Sequence, residues 1–292
     1  MLLWKRPLVL DKLTEFPDEE GKEAQDQLTR ALKQMEDAKD RAILPGFFPI
    51  AANKILVYRS YSDIRAVYLE DQLDGAGKVT AKAGDIAWKV PAMDGGLAKI
   101  MAATGTDIKL PTIQNWLTRY SSVVGYGSLV YENSLLGTLS TDHKYVYAID
   151  DLAVPIPPDQ FQPFIWASAN VPANIKPLVM SNKLYAIDLV HGDMKWELGT
   201  KEDGFSDSHF LGVPISVGGK LYVLNEKNGG VGTPTGNSEL RLICIDPSKV
   251  TGRTPQIIEP IQSLGEIEQN SRVTHYPGRR LTSAQLAYGE GV

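Results

Sequence analysis

Cysteine is almost absent from this 292-residue chain: Cys244 stands alone, which excludes an internal disulfide, a Cys-rich zinc site and a CxxCH haem attachment. Histidine is scarce too. His143, His191, His209 and His275 show no HxxxH or HxH spacing, so the sequence places no metal cluster. Neither sign of charge dominates, with a net charge of −5 and a pI near 5.5. The Lys and Arg residues are dispersed rather than striped, and no nucleic-acid partner is expected. No apolar run approaches the roughly 18 residues of a membrane span. The start, MLLWKRPLVLDK, does not read as a signal peptide, so an exported protein would carry its signal outside this chain.

Familiar catalytic patterns are missing as well. No GxSxG elbow occurs, and three consecutive residues such as Asp207-Ser208-His209 cannot form a hydrolase triad. Gly125-Tyr126-Gly127 lacks the third glycine and following helix of a dinucleotide loop. The stretch NGGVGTPTGN (228–237) lacks a phosphate-facing Lys-Ser/Thr and reads as a hairpin tip. Arg279 and Arg280 could hold an anion or a carboxylate, but pairing with acidic neighbours on an edge strand is the preferred reading.

What the chain does contain is short apolar runs punctuated by turns. Its 43% hydrophobic and 22% charged content allows a large core, and its 26 Gly and 18 Pro suit a β-rich fold. Residues 1–42 read as an N-terminal extension, with a polar amphipathic helix over 18–42. KILVYRS (54–60) and DIRAVYL (63–69) predict a hairpin, followed by a solvated hairpin-like excursion and then Gly84-Asp85-Ile86-Ala87-Trp88. Residues 93–126 have helical spacing and predict an insertion. KYVYAID (144–150) repeats the strand KLYAID (183–188). The Pro-rich loop 154–177 between the two copies is either an excursion within one unit or a boundary between two. GGKLYVLNE (218–226), ELRLICIDP (239–247) and QIIEPIQSL predict further strands, and a last one starts at 278.

The most informative stretch is NKLYAIDLVHGDMKW (182–196). Leu184 and Ala186 alternate with Tyr185, Ile187 and Leu189, as in a strand buried on both faces. His191-Gly192 breaks the run, and Trp196 supplies more apolar area than an isolated hairpin could bury, so a neighbouring sheet is required. Ala186-x-Asp188-x-x-His191-Gly192-x-x-x-Trp196 resembles the tryptophan-docking repeat, Ala-x-Asp-x-x-Thr-Gly-x-x-x-Trp, of quinoprotein-dehydrogenase-like propellers. Gly84 and Trp88 repeat its ending. LWKRP (3–7), ILPGFFPIAANKILVYRSY (43–61), ENSLLGTLSTDHKYVYAIDDLAVP (132–155), FLGVPISVGGKLYVLNEK (210–227) and GRRLTSAQLAYGEG (278–291) extend the likeness. Together these segments are similar to the large PQQ-binding-like β-propeller repeat proteins of planctomycete-type bacteria.

The resemblance implies an all-β chain, with residues 43–292 forming an incomplete β-propeller of about three four-stranded antiparallel blades plus helical insertions. An open end would leave an exposed core, so the chain is expected to be part of a longer or incomplete product. Ala186, Asp188, Gly192, Trp196, Gly84 and Trp88 are the implied structural docking residues, and no catalytic residue is assigned. The implied role is a non-catalytic scaffold or protein-binding module of a periplasmic or envelope-associated protein, with other proteins or further domains as partners and no cofactor. The alternative is a PQQ- and calcium-dependent oxidoreductase acting on alcohols or sugars. Glu132-Asn133 and Asp150-Asp151 have the ligand types for its hard cation, although adjacent residues on a strand point to opposite faces.

Overall fold

Val, Ile, Leu and Tyr runs bounded by glycine turns become strands in the computed structural model, which describes residues 48–59, 63–91, 139–150, 181–227, 238–267 and 286–289. Every regular element among the described residues is a strand. β1 (Ile50–Ala52), β2 (Ile55–Arg59) and β3 (Asp63–Tyr68) are followed by a small ribbon, β4 (Gln72–Leu73) with β5 (Val79–Ala81), and then by β6 (Ile86–Pro91). Next come β7 (Leu139–Thr141), β8 (Tyr145–Asp150), β9 (Lys183–Asp188) and β10 (Met194–Leu198). β11 (Ser208–Val217), β12 (Lys220–Lys227), β13 (Ser238–Thr251) and β14 (Thr254–Ile267) complete the series.

These strands make three four-stranded antiparallel sheets with spatial orders β1-β2-β3-β6, β7-β8-β9-β10 and β11-β12-β13-β14. In each sheet the strands lie side by side in chain order, so every sheet is a meander. The β4–β5 ribbon is an exposed excursion inside the first meander. Asp74 shapes its tip by accepting hydrogen bonds from the Ala76 and Lys78 N–H groups, both at 2.9 Å. Tyr145 pairs with Asp188, and the register runs on to Asp150 opposite Lys183. The two similar strands are therefore neighbours in one sheet, while the Pro-rich segment 154–177 between them lies outside the described residues.

The second sheet lies between the other two, and its alternation explains why. Tyr147, Ile149, Leu184, Ala186, Trp196 and Leu198 share a core with Phe205, Phe210, Leu221, Val223, Ile243 and Ile245 of the third-sheet side. Val146, Ala148, Tyr185, Ile187 and Leu189 share the other core with Val57, Ile64, Ala66 and Trp88 of the first sheet. Each fully buried Leu, Ile, Val or Phe contributes about 1.5–3 kcal/mol, which a lone meander with one wet face would forgo. Buried polar contacts tie the layers together. Arg59 reaches from the first sheet to the Ile149 carbonyl at 3.1 Å. Asn182 holds both backbone groups of Phe210, accepting from its N–H at 2.6 Å and donating to its carbonyl at 2.9 Å. At one edge the first strands meet, since β7 contacts both β1 and β11, while the last strands β10 and β14 touch elsewhere.

The helix expected over 18–42, the insertion 93–126, the tip 228–237 and most of the segment from 278 lie outside the described residues. Residues 286–289 are described and are not a strand, although Leu286 packs against the third-sheet core.

Candidate functional site

The turn between β9 and β10 is built around Asp188. Its carboxylate accepts the N–H groups of Val190 at 3.0 Å and His191 at 2.9 Å, and it meets the His191 ring nitrogen Nδ1 at 3.0 Å. Lys195 stands 3.6 Å away. Burial pulls the Asp188 carboxyl upward, but the His191 and Val190 hydrogen bonds and Lys195 outweigh it and leave the group more acidic than usual. The backbone closes the turn: the Gly192 N–H donates to the Asp188 carbonyl at 2.9 Å, and the Asp188 N–H to the Asp193 carbonyl at 2.8 Å.

This turn receives a side chain from another sheet. The Trp88 indole N–H, carried on β6, donates to the Leu189 carbonyl at 2.9 Å in a buried bond. Its ring lies directly over Gly192. A Cβ at position 192 would sit 2.7 Å from Trp88 Cγ and 2.8 Å from both Cβ and Cδ2. Gly192 also has φ +77°, so glycine is needed for conformation and for the approach of the ring.

The first sheet contains the same turn, split by the β4–β5 ribbon. The Gly84 N–H donates to the Tyr68 carbonyl at 2.7 Å and the Tyr68 N–H to the Asp85 carbonyl at 3.0 Å, as Gly192, Asp188 and Asp193 do. Leu69 N–H binds the Lys54 carbonyl at 2.9 Å, matching Leu189 on Lys144 at 3.0 Å. Ala66 lies opposite Trp88 with a bulge beside it, as Ala186 lies opposite Trp196. In both sheets the bulge sends the residue two before the Trp to the other face.

Trp196 behaves differently from Trp88. It is fully buried, 5.9 Å from the Tyr147 ring, and its Nε1 has no hydrogen-bond partner among the described residues. The third-sheet hairpin meets β10 through its backbone instead, the Glu197 N–H donating to the Arg253 carbonyl at 3.0 Å. That hairpin carries Asp246, which takes Lys220 Nζ at 2.6 Å and Ser248 Oγ at 2.6 Å. Those two hydrogen bonds, Lys220 first, hold the Asp246 carboxyl far below its ordinary range.

No nucleophile–base pair arises from Asp207-Ser208-His209. Ser208 Oγ donates to the Phe205 carbonyl at 3.1 Å and accepts from Asn225 Nδ2 at 3.0 Å, while His209 projects to the opposite face of β11. His143 lies in a tight turn with φ +70°, where its carbonyl accepts the Asn53 amide at 2.8 Å. Among the described residues no three His, Cys, Asp or Glu side chains group as metal ligands. Glu132, Asn133, Asp151, His275, Arg279 and Arg280 lie outside them, and only the backbone of Asp150 is described. Glu226 is buried on β12 opposite His209, and burial pushes its carboxyl upward against a hydrogen bond from Ser238.

Sequence reading singled out Trp88, Asp188 and Gly192 but missed the acceptor of the Trp88 indole, the Leu189 carbonyl, because a main-chain acceptor leaves no signature in residue type. Compared with protein-family models and with curated proteins, the chain matches none of them.

Proposed function

We propose that the three meanders are successive blades of a tryptophan-docked, PQQ-binding-like β-propeller, and that this chain is a non-catalytic scaffold or protein-binding module of a larger envelope-associated protein. The observation that carries the reading is the Trp88 indole seated on the Leu189–Gly192 turn of the following sheet. Two further features support it. The first strands of all three sheets meet along β7, as blades radiating from an axis require, and the turn that receives Trp88 recurs in the first sheet. The polar groups of these turns are consumed in holding backbone and neighbouring sheets, which fits a rigid display platform rather than a reaction centre.

Affinity capture from a cell-envelope fraction is expected to recover a stoichiometric protein partner, and recovery of none would overturn the scaffold role. The catalytic alternative is tested separately. Purified protein mixed with PQQ and calcium is expected to retain no quinone on gel filtration and to oxidise no alcohol or aldose with a dye acceptor. Retained quinone with dye-linked turnover would replace this reading with a quinoprotein oxidoreductase.

A further inference from the structure

In β13 the alternation that puts Ile243 and Ile245 in the core also puts Arg241 on their face, turned to the second sheet. There it is a half-buried cation with no anion. Its Nε donates to Asn225 Oδ1 at 3.1 Å, and its Nη2 donates to the same oxygen. The Phe205 ring lies 5.7 Å from the guanidinium carbon. No carboxylate comes within ion-pair distance of it among the described residues.

The support beneath this guanidinium is itself buried and fixed. Asn225 and Ser208 are 0% and 1% exposed. Asn225 Nδ2 donates to Ser208 Oγ at 3.0 Å, and Ser208 Oγ donates to the Phe205 carbonyl at 3.1 Å. Asp203 holds Phe205 in turn. One carboxylate oxygen accepts the Phe205 N–H at 2.9 Å, and the other accepts the N–H groups of Gly199 at 3.0 Å and Thr200 at 2.9 Å. Loop and sheet together thus fix one edge and one face of the guanidinium. Fixing so long a side chain gives up rotamer entropy that a solvated arginine keeps. It is also what tight recognition of an anion needs, because the ordering is complete before the ligand arrives.

The edge left over is the Nη1–Nη2 fork, whose two parallel N–H groups match the two oxygens of a carboxylate. Nη1 has no partner among the described residues. Ser263, exposed on β14, is the residue paired with Arg241 and sets a hydroxyl donor beside it. Glu239 lies two residues earlier on the same face, with Lys227 opposite it on β12. Its charge repels a doubly charged phosphate more than a singly charged carboxylate. Burial pulls the guanidinium below its ordinary pKa against Glu239, a sign that its hydration is weakened and that an incoming anion displaces less water.

We propose that Arg241 is a binding site for a carboxylate group, taken end-on by the Nη1–Nη2 fork, with Asn225, Ser208 and Phe205 as its positioning residues. The assignment does not depend on the repeat or scaffold reading above.

The test is a 15N nuclear magnetic resonance titration of the full-length protein, following the Arg241 Nε–H and the Asn225 side-chain amide. Sodium acetate, inorganic phosphate at neutral pH and sodium chloride are compared at equal ionic strength. Acetate should move both signals along a saturating curve, with a dissociation constant at least ~10-fold lower than that of chloride and below that of phosphate. A blocked aspartate residue then replaces acetate: tighter binding marks a peptide side chain as the source of the carboxylate, and equal or weaker binding a free acid. Arg241→Lys keeps the charge and removes the fork, so the Asn225 signal should lose its saturating response. A linear drift, or equal effects of acetate and chloride, means screening only and overturns the proposal. Tighter binding of phosphate overturns the carboxylate assignment, and a saturating response that survives in folded Arg241→Lys overturns the role of the fork. If Arg241→Lys unfolds, the wild-type titration decides by the same criteria.

Discussion

Gly192→Ala should be among the most damaging single-methyl additions in the described residues, and its cost can be separated into two physical parts. A methyl group at φ +77° costs about 1–2 kcal/mol as backbone strain. Three side-chain atoms of Trp88, Cβ and the ring carbons Cγ and Cδ2, would lie 2.7–2.8 Å from that methyl, far inside van der Waals contact. Displacing the ring adds roughly 1–3 kcal/mol of overpacking and weakens the bond to the Leu189 carbonyl. The total is about 2–5 kcal/mol, to be read from urea unfolding followed by tryptophan fluorescence. A double-mutant cycle isolates the clash, because in a Trp88→Ala background only the backbone part should remain. Gly204→Ala is the control, since Gly204 has φ +81° with no atom within 4 Å of an added Cβ. It should cost the backbone part alone. If Gly192→Ala costs the same with and without Trp88, or no more than Gly204→Ala, the docking argument is wrong.

Trp196→Ala should destabilise by about 3–5 kcal/mol through cavity formation, and an unchanged thermal midpoint would show that the indole is not buried. Trp88→Phe should cost more than Trp196→Phe by roughly 0.5–1.5 kcal/mol, because only Trp88 gives up an indole hydrogen bond; equal losses would count against that difference. Glu226, raised by burial, contributes stability fully below the ordinary Glu range and loses it as pH rises through its folded value. Glu226→Gln should therefore raise Tm at neutral pH and change little in acid, and a lower neutral Tm would contradict the assignment. Asp188 and Asp246 are depressed, so the stability they contribute is present above the ordinary Asp range and lost as pH falls through their folded values. Replacing both with Asn should flatten the acid limb of the stability profile in that window, and an unchanged limb would refute their part in it.

The alternation in KLYAID and its copy was enough to foresee a strand buried on both faces, because period-two patterning survives whatever lies on either side. It could not tell which sheet faced which side, since that depends on pairings far apart in the chain. The Gly-x-x-x-Trp ending at 84–88 was legible despite the inserted ribbon, because the two bulges keep the same spacing from glycine to indole. Sequence reading gave Trp88 and Trp196 the same docking role, whereas in the structure their surroundings differ. Trp88 docks with a hydrogen bond on the Asp188 turn, whereas Trp196 faces a third-sheet hairpin whose backbone engages Glu197 instead. The ties made by Arg59 and Asn182 to distant main-chain groups had no local pattern to betray them. The Pro-rich segment was ambiguous for a related reason, as only the Tyr145–Asp188 register reveals that one sheet continues across it.

The central claim, that the three sheets radiate as consecutive blades rather than stack as flat layers, is tested most directly by pulsed electron spin resonance between the first and third sheets. In a Cys244→Ser background, one spin-label pair at Ala51 and Ser216 reports on the first strands, and a second pair at Lys89 and Gln256 on the last strands. Radiating blades predict a clearly longer distance for the Lys89–Gln256 pair than for Ala51–Ser216. Equal distances would mean layered sheets and would contradict the propeller account.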